Sequence, residues 1–317
     1  MTCRWLPIPL SIAIVSAAVA QGSDAQRAAD LIRAYINNQS KTRFHGEREV
    51  TFSGSKGSQS HVEVIRKDGV RVRVDFPAGS PFEGQIIVEN GKERRHYLPA
   101  RNEIRIQPVR SDRFVQRLKR LIQSSDVSRL TVTDGGEVAG MPTQMVEFRG
   151  QREPGFKLWI EPKSKLIVKR QIYGPNQEII GGYTFRTLNF KPSFDGIDFG
   201  LSVPGAKTTR PSDELARAAS KLGLPALQLD RSTKFTLEFV RTPERKEAKV
   251  IIQGYFRADD VQVTLFILGQ DVNPEMLKRF AKGPVKTYAW KVNGVQCVLT
   301  GEVGEEELQR LSTQVKA

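Results

Sequence analysis

The alternation of apolar and polar positions changes period along the chain. Ala28, Leu31, Ile32, Tyr35 and Ile36 recur at helical spacing, so residues 24–39 are predicted as an amphipathic helix that Ser23 or Asp24 can cap. Period two then takes over. Strands are expected at 44–53, 61–66 and 70–76, the last two joined across Lys67-Asp68-Gly69, where Asp-Gly favours a tight turn. Val70, Val72, Val74 and Phe76 alternate with Arg71, Arg73 and Asp75, which gives that strand one apolar and one charged face. Asn90-Gly91 joins strands at 85–89 and 94–98, and Ile104 and Ile106 mark another at 103–107. A helix is expected at 111–124, started by Ser111 or Asp112, with Phe114, Leu118, Leu121 and Ile122 on one side.

Strands at 129–133 and 144–149 lead into 157–206, the most strongly patterned stretch. Leu158-Trp159-Ile160 is apolar, 161–165 is a turn, 166–173 is β-branched and aromatic, 174–177 is a second turn, and 179–190 runs back. This reads as three antiparallel strands followed by a shorter fourth in the closing "DFGLSVPGA". Gly181-Gly182 within the third strand suggests a bulge or bend. A meander this long must curl or close, because flat open sheets leave long edges. The two amphipathic helices can cover its apolar face. A filled core and an enclosed apolar cavity share this pattern.

Breaker-rich Thr208-Thr209-Arg210-Pro211-Ser212 then opens a linker at 208–225 with a short helix, capped by Ser212 and ended by Gly223 and Pro225. The rest, 226–317, has its own rhythm. Strands are expected at 234–241, 249–257 and 260–268, and a helix follows Asn273-Pro274. A hairpin turns at Asn293-Gly294, and a last helix at 305–315 has Leu308, Leu311 and Val315 inward. The expected class is α+β: a curved antiparallel sheet covered by helices at 24–207, and a smaller α+β domain at 226–317.

With 39 % hydrophobic and 8 % aromatic residues, the 317-residue chain has the composition of a folded protein. Its N-terminus reads as a cleavable export signal over residues 1–20. Arg4 supplies the positive start, 5–15 is apolar, and Ala18-Val19-Ala20 is a small-x-small cleavage site. The apolar run is short for a membrane span, which needs about 20 residues. Of the two cysteines, Cys3 leaves with the signal and Cys297 lies in an apolar strand, so no internal disulfide is expected. A formal charge of +14 suits anionic lipid, an acidic protein or nucleic acid, or else a solvated basic surface. Export argues against nucleic acid.

No catalytic constellation stands out. His45, His61 and His96 each lie in or beside a strand, without metal-ligand spacing, and are read as packing or surface residues. Asp195-Gly196-Ile197-Asp198 lacks the further oxygens of a calcium loop. No metal or cofactor is expected.

Several stretches carry a family likeness. "LWIEPKSKLIVKRQIY", the "G-P-N-Q-E" turn, "YTFRTLNF" and "DFGLSVPGA" resemble the late strands of the LolA-like family of periplasmic lipoprotein-binding proteins, its MucB/RseB branch in particular. "YFRADDVQVTLF" and "LTGEVGEEELQRL" resemble the C-terminal domain of that branch. The chain has Arg257-Ala258-Asp259-Asp260-Val261 where the family usually has Ser-Asp-Gly-Leu, and Gly304 where proline is usual. The resemblance implies a half-barrel holding an acyl chain of a lipid or lipoprotein, or lipopolysaccharide, in a cavity lined by Val72, Val74, Ile86, Val88, Trp159 and Phe185. It further implies a non-catalytic periplasmic sensor that restrains a membrane-anchored anti-sigma factor in envelope stress. Two other readings stand beside it. One is a LolA-like lipoprotein carrier, and the other is a nucleic-acid-binding module supported by charge alone.

Overall fold

The computed structural model describes residues 12–54, 57–150, 154–243, 249–269 and 285–317. The start of the expected export signal and the helix expected after Asn273-Pro274 lie outside the described residues. The class is α+β, with a large antiparallel sheet that curves without closing and a separate smaller sheet. Packing divides the chain into two compact units, residues 1–86 with 117–199, and residues 87–116 with 200–317. The sequence suggests one boundary near 207, whereas these units interleave along the chain.

In the first unit, helix α1 (Ile12–Asn38) starts before the expected segment, its alanine-rich run 17–29 carrying the helix through Gly22. Ala25, Ala28, Ala29, Ile32 and Tyr35 are buried along one face. Its C-terminal Asn38 donates from Nδ2 to the Ser164 carbonyl at 2.6 Å. The strands are β1 (Arg43–Gly54), β2 (Gly57–Asp68), β3 (Arg71–Asp75), and, after the segment carrying unit two's first piece, β7 (Leu130–Val138), β8 (Met141–Phe148), β9 (Gly155–Ile160), β10 (Ile167–Tyr173) and β11 (Ile179–Asn189). Their order is β3-β2-β1-β11-β10-β9-β8-β7, and α1 packs on β7.

Three local outcomes differ from expectation. β7 and β8 form one long hairpin through Ala139 and Gly140, extended past a register shift at Gly135-Gly136 that masks the period in sequence. The bulge near Gly181 falls one residue earlier, at Ile180, where β10 and β11 shift register. The expected fourth strand within 195–206 is absent. Gly196, Gly200, Pro204 and Gly205 interrupt it, and Phe199 and Leu201 are instead buried from irregular backbone.

The β9–β10 turn is fixed by Glu161, 5 % exposed, which accepts from the Lys163 and Ser164 backbone amides at 2.9 and 2.5 Å. Burial by itself would raise its pKa, but the hydrogen bonds from Ser164 and Lys163 prevail and hold it below the usual value. A lowered carboxylate pKa stabilises the fold above the unfolded-state value, and this is lost as pH falls through the folded-state value. Glu161→Gln is therefore expected to lower stability at pH 7 by about 1–2 kcal/mol. The gap from wild type should close as pH drops below the 4.5 of an ordinary glutamate, as followed by thermal denaturation.

The second unit contains β4 (Ile86–Glu89), β5 (Glu93–Leu98), β6 (Glu103–Pro108) and β12 (Lys207–Thr209), with β12 parallel to β6. Helix α2 (Arg113–Gln123) begins here, its Phe114 amide capped by Asp112 Oδ1 at 2.8 Å. Helix α3 (Pro211–Leu222) starts one residue before the expected cap, because Pro211 fills the first helical position and the Arg210 amide bonds Asp213 at 2.9 Å. It is no loose tether, since Leu215 and Ala219 are buried in the unit's core.

A five-stranded sheet follows in the order β14 (Thr236–Arg241), β15 (Val250–Phe256), β16 (Gln262–Leu268), β18 (Val295–Gly301), β17 (Lys286–Val292). Val263, Leu265, Ile267, Cys297 and Leu299 on its central strands pack with α3 and with Leu308 and Leu311 of helix α4 (Glu305–Ser312). β13 (Gln228–Leu229) pairs with β19 (Val315–Lys316). Burial pushes the Cys297 thiol up to about 11, as suits a packing residue.

Inside this unit, the buried Tyr255 hydroxyl donates to Gln253 Oε1 at 2.6 Å and accepts from the Leu229 amide at 3.1 Å, while Gln253 Nε2 reaches the Leu227 carbonyl at 2.8 Å. Burial moves the tyrosine pKa upward, so the hydroxyl keeps its proton. Tyr255→Phe strands the Leu229 amide and is expected to cost about 1–3 kcal/mol, measurable by urea denaturation.

Candidate ligand face and basic cleft

Strand register assembles the candidate face of the first unit. Val132, Val146, Leu158, Arg170, Tyr183, Val50 and His61 are successive cross-strand partners over seven strands. Partners in register point to one side of a sheet. The row is buried and apolar at the β7–β9 end, and Arg170, Tyr183 and His61 bring polarity farther along, with Val50 between the last two. A parallel row, Leu130, Phe148, Phe156, Ile172, Gly181, Phe52 and Gln59, runs beside it.

Polarity in this face is concentrated around Glu63. Arg48 is its cross-strand partner on β1 and binds it through Nε at 2.8 Å and a terminal guanidinium nitrogen at 2.7 Å. His61 lies two residues earlier on the same face and places Nε2 3.0 Å from Glu63 Oε1. Side-chain exposures are 23 % for Arg48, 11 % for Glu63 and 6 % for His61, so the cluster is largely withdrawn from water. The guanidinium groups of Arg48 and Arg170 lie 4.9 and 5.0 Å from the Tyr183 ring centre, a cation–π arrangement. Around His61 stand Phe52, Phe76 and Phe82, with ring centres 6.1, 5.7 and 5.0 Å away.

The six residues expected from the sequence divide. Val72, Val74 and Phe185 lie on this face, through the pairings Phe44–Lys67–Val72, Gly46–Ile65–Val74 and Arg48–Phe185. Phe185 is 2 % exposed and meets Phe44 edge-on at 5.6 Å. Gly46 makes room for it, because a Cβ there would lie 3.0 Å from the Phe185 ring. Trp159 lies on the opposite face: Leu158, its neighbour, belongs to the His61 row, and Trp159 stacks under Lys169 at 4.3 Å. Ile86 is half-buried at the start of β4, and Val88 is buried within the second unit.

Sequence reasoning passed over Arg48, Glu63, Arg170 and Tyr183. It read His61 as an isolated strand histidine. The spacing His61-Val62-Glu63 was a usable signal, since period two puts both side chains on one face.

The second unit has a cleft of about 490 Å³ with Leu229, Phe235 and Tyr255 among its walls and Lys92, Arg210, Arg231 and Lys234 among its lining residues. Its carboxylate, Glu93, accepts from Arg210 at 3.0 Å and Arg95 at 3.3 Å. Burial would raise the Glu93 pKa, but the hydrogen bonds from these arginines hold it below its usual value. The cleft is therefore positively charged with an apolar wall, which suits an acidic segment that also carries apolar side chains. Beside it on β5, burial followed by Arg94 and Arg105 lowers the His96 pKa to about 4, so His96 adds no charge at neutral pH. Among the described residues no group of side chains is arranged to hold a metal ion. Nor is any described helix long and apolar enough to cross a membrane.

No protein-family model matches the sequence, and no curated protein matches it. Solved structures similar to the chain over nearly its full length are of MucB. MucB of Pseudomonas aeruginosa in complex with MucA is 18 % identical, with a TM-score of 0.44, over 92 % of this chain and 98 % of that one. MucB alone gives 17 % identity and a TM-score of 0.40 over 92 % and 98 %. A LolA-superfamily protein of Nitrosomonas europaea is 11 % identical, with a TM-score of 0.27, over 55 % of this chain and 96 % of that one.

Removing one member of a buried ion pair leaves the other uncompensated. Arg48→Met is therefore expected to destabilise the fold by about 2–4 kcal/mol, and the double variant Arg48→Met/Glu63→Met to recover most of that loss. Chemical denaturation of the three proteins checks this. A double variant no more stable than the single one would refute the pairing.

Proposed function

We propose that this chain is a non-catalytic periplasmic sensor, exported with cleavage near Ala20. In this reading the first unit binds the acyl chain of a lipid, lipoprotein or lipopolysaccharide, and the second holds a membrane-anchored anti-sigma factor until that ligand arrives. The observation that carries the reading is the first unit's sheet face, on which rows of buried apolar side chains run into a withdrawn polar cluster at Arg48, Glu63 and His61. An amphiphile needs both surfaces side by side. Sequence likeness to the MucB/RseB branch in 157–206, 255–266 and 299–311 supports the regulatory role. The basic cleft gives an acidic partner segment a place to lie.

The test uses the mature chain purified from the periplasm with its membrane fraction. A single-pass membrane protein should co-purify and should be released when an acylated ligand is added. Acyl binding without any retained partner would favour a lipoprotein carrier. Failure of both would overturn the proposal.

A further inference from the structure

His61 has two ring nitrogens in unlike positions. Nε2 lies 3.0 Å from Glu63 Oε1. Glu63 also receives two N–H groups from Arg48, so it acts as an ionised acceptor and the imidazole must donate to it from Nε2. In the neutral ring this makes Nδ1 a bare acceptor. That atom is buried and makes no hydrogen bond. The surrounding rings of Phe52, Phe76 and Phe82 have no N–H or O–H to offer it. Folded proteins rarely leave such an acceptor unfilled, and the exceptions tend to have a role.

The wall nearest His61 comes from a loop rather than a strand. Phe82 comes from the turn-rich loop 77–85, between β3 and β4. Its neighbours Pro81 and Glu83 are exposed, while Phe82 itself is turned inward, its ring edge-on to His61 at 5.0 Å. The loop bonds largely to itself. The Ser80 amide reaches Pro77 at 3.2 Å, the Glu83 amide reaches Ser80 at 3.0 Å, and the Gly79 amide reaches the Glu83 carboxylate at 3.0 Å. The ends of the loop are clipped by the Phe76 amide to the Gln85 carbonyl at 3.2 Å and the Gly84 amide to the Phe76 carbonyl at 3.0 Å, and Phe82 lies between these clips, outside any strand ladder.

We infer that the niche at His61, closed by Phe82, receives the polar end of an acylated ligand through a neutral N–H or O–H donor such as an amide-linked acyl group. The rings of Phe52 and Phe76 take the first methylenes, and the chain continues along the apolar row through Ile172 and Phe156 toward Phe148. Arg48 and Glu63 neutralise one another, and a ring that donates from Nε2 leaves Nδ1 to accept, which suits an amide N–H and not a carboxylate. This inference rests on the acyl-binding reading above and adds the chemistry of the head.

The experiment measures displacement of a fluorescent acyl probe from the full mature chain by palmitamide, methyl palmitate and palmitate. Palmitamide is expected to bind roughly five- to tenfold more tightly than the methyl ester, about what one buried hydrogen bond contributes. His61→Phe should keep methyl palmitate binding and lose the preference. Phe82→Ala should tighten binding of both, whereas a ring that only supports the fold would weaken them when removed. Equal binding of amide and ester by the wild type, preference for palmitate, or weaker binding by Phe82→Ala overturns the inference while leaving acyl binding intact. If no compound displaces the probe, the acyl-binding reading falls and takes this inference with it. The wild-type comparison is decisive even if a variant fails to fold.

Discussion

Glu63 can remain in an apolar sheet face only because Arg48 is held opposite it. A carboxylate withdrawn from water costs several kcal/mol unless a cation and hydrogen bonds compensate. That compensation depends on the register of one hairpin. β1 and β2 pair without a break from Gly54–Gly57 to Arg43–Asp68, and this fixes Arg48 against Glu63. A shift of one residue would put Arg48 and Glu63 on opposite faces and turn the apolar set of the slipped strand, Phe44 or Ile65 included, out of the packed side. The same register puts His61 beside Phe52 and Phe76, and lets Phe185 fill the space above Gly46. The ion pair and the apolar packing thus impose the same alignment, and each penalises a slip.

The second unit uses polarity differently. Its buried Tyr255 and Gln253 are neutral and fully engaged with the backbone at Leu227 and Leu229, which ties the segment before β13 to the five-stranded sheet. Charge is kept at the rim, where Arg210, Arg231 and Lys234 line the cleft. The first unit has an aromatic niche next to a compensated ion pair, and the second has an open, positively charged groove. The proposed acyl ligand and the proposed acidic partner would meet these two surfaces separately.

Much of the fold was legible in the sequence, for local reasons. Asp68-Gly69 and Asn90-Gly91 mark real turns, with Gly69 and Gly91 at positive φ, and of the expected apolar face Val74 and Phe76 are buried, Val72 is half-buried and Val70 is exposed. Other segments were hidden by their own composition. The glycine pair at 135–136 broke the period of β7, and the proline and glycine run after Phe190 looked like a strand because Phe199 and Leu201 are apolar. Those two side chains are buried by tertiary packing of irregular backbone, which leaves no periodic trace.

The sequence by itself determined the α+β class, most of the strands and which positions on each strand share a side, because turn chemistry and side-chain period are local properties. Only the tertiary structure decided which strands meet, and in what register. That decision carried Trp159 away from the face holding Phe185 and made His61, Glu63 and Arg48 one cluster. It also folded residues 87–116 together with the C-terminal third of the chain. The physical reason is the same in each case: pairing partners lie far apart in sequence, and their choice is set by the burial and charge compensation of the whole face.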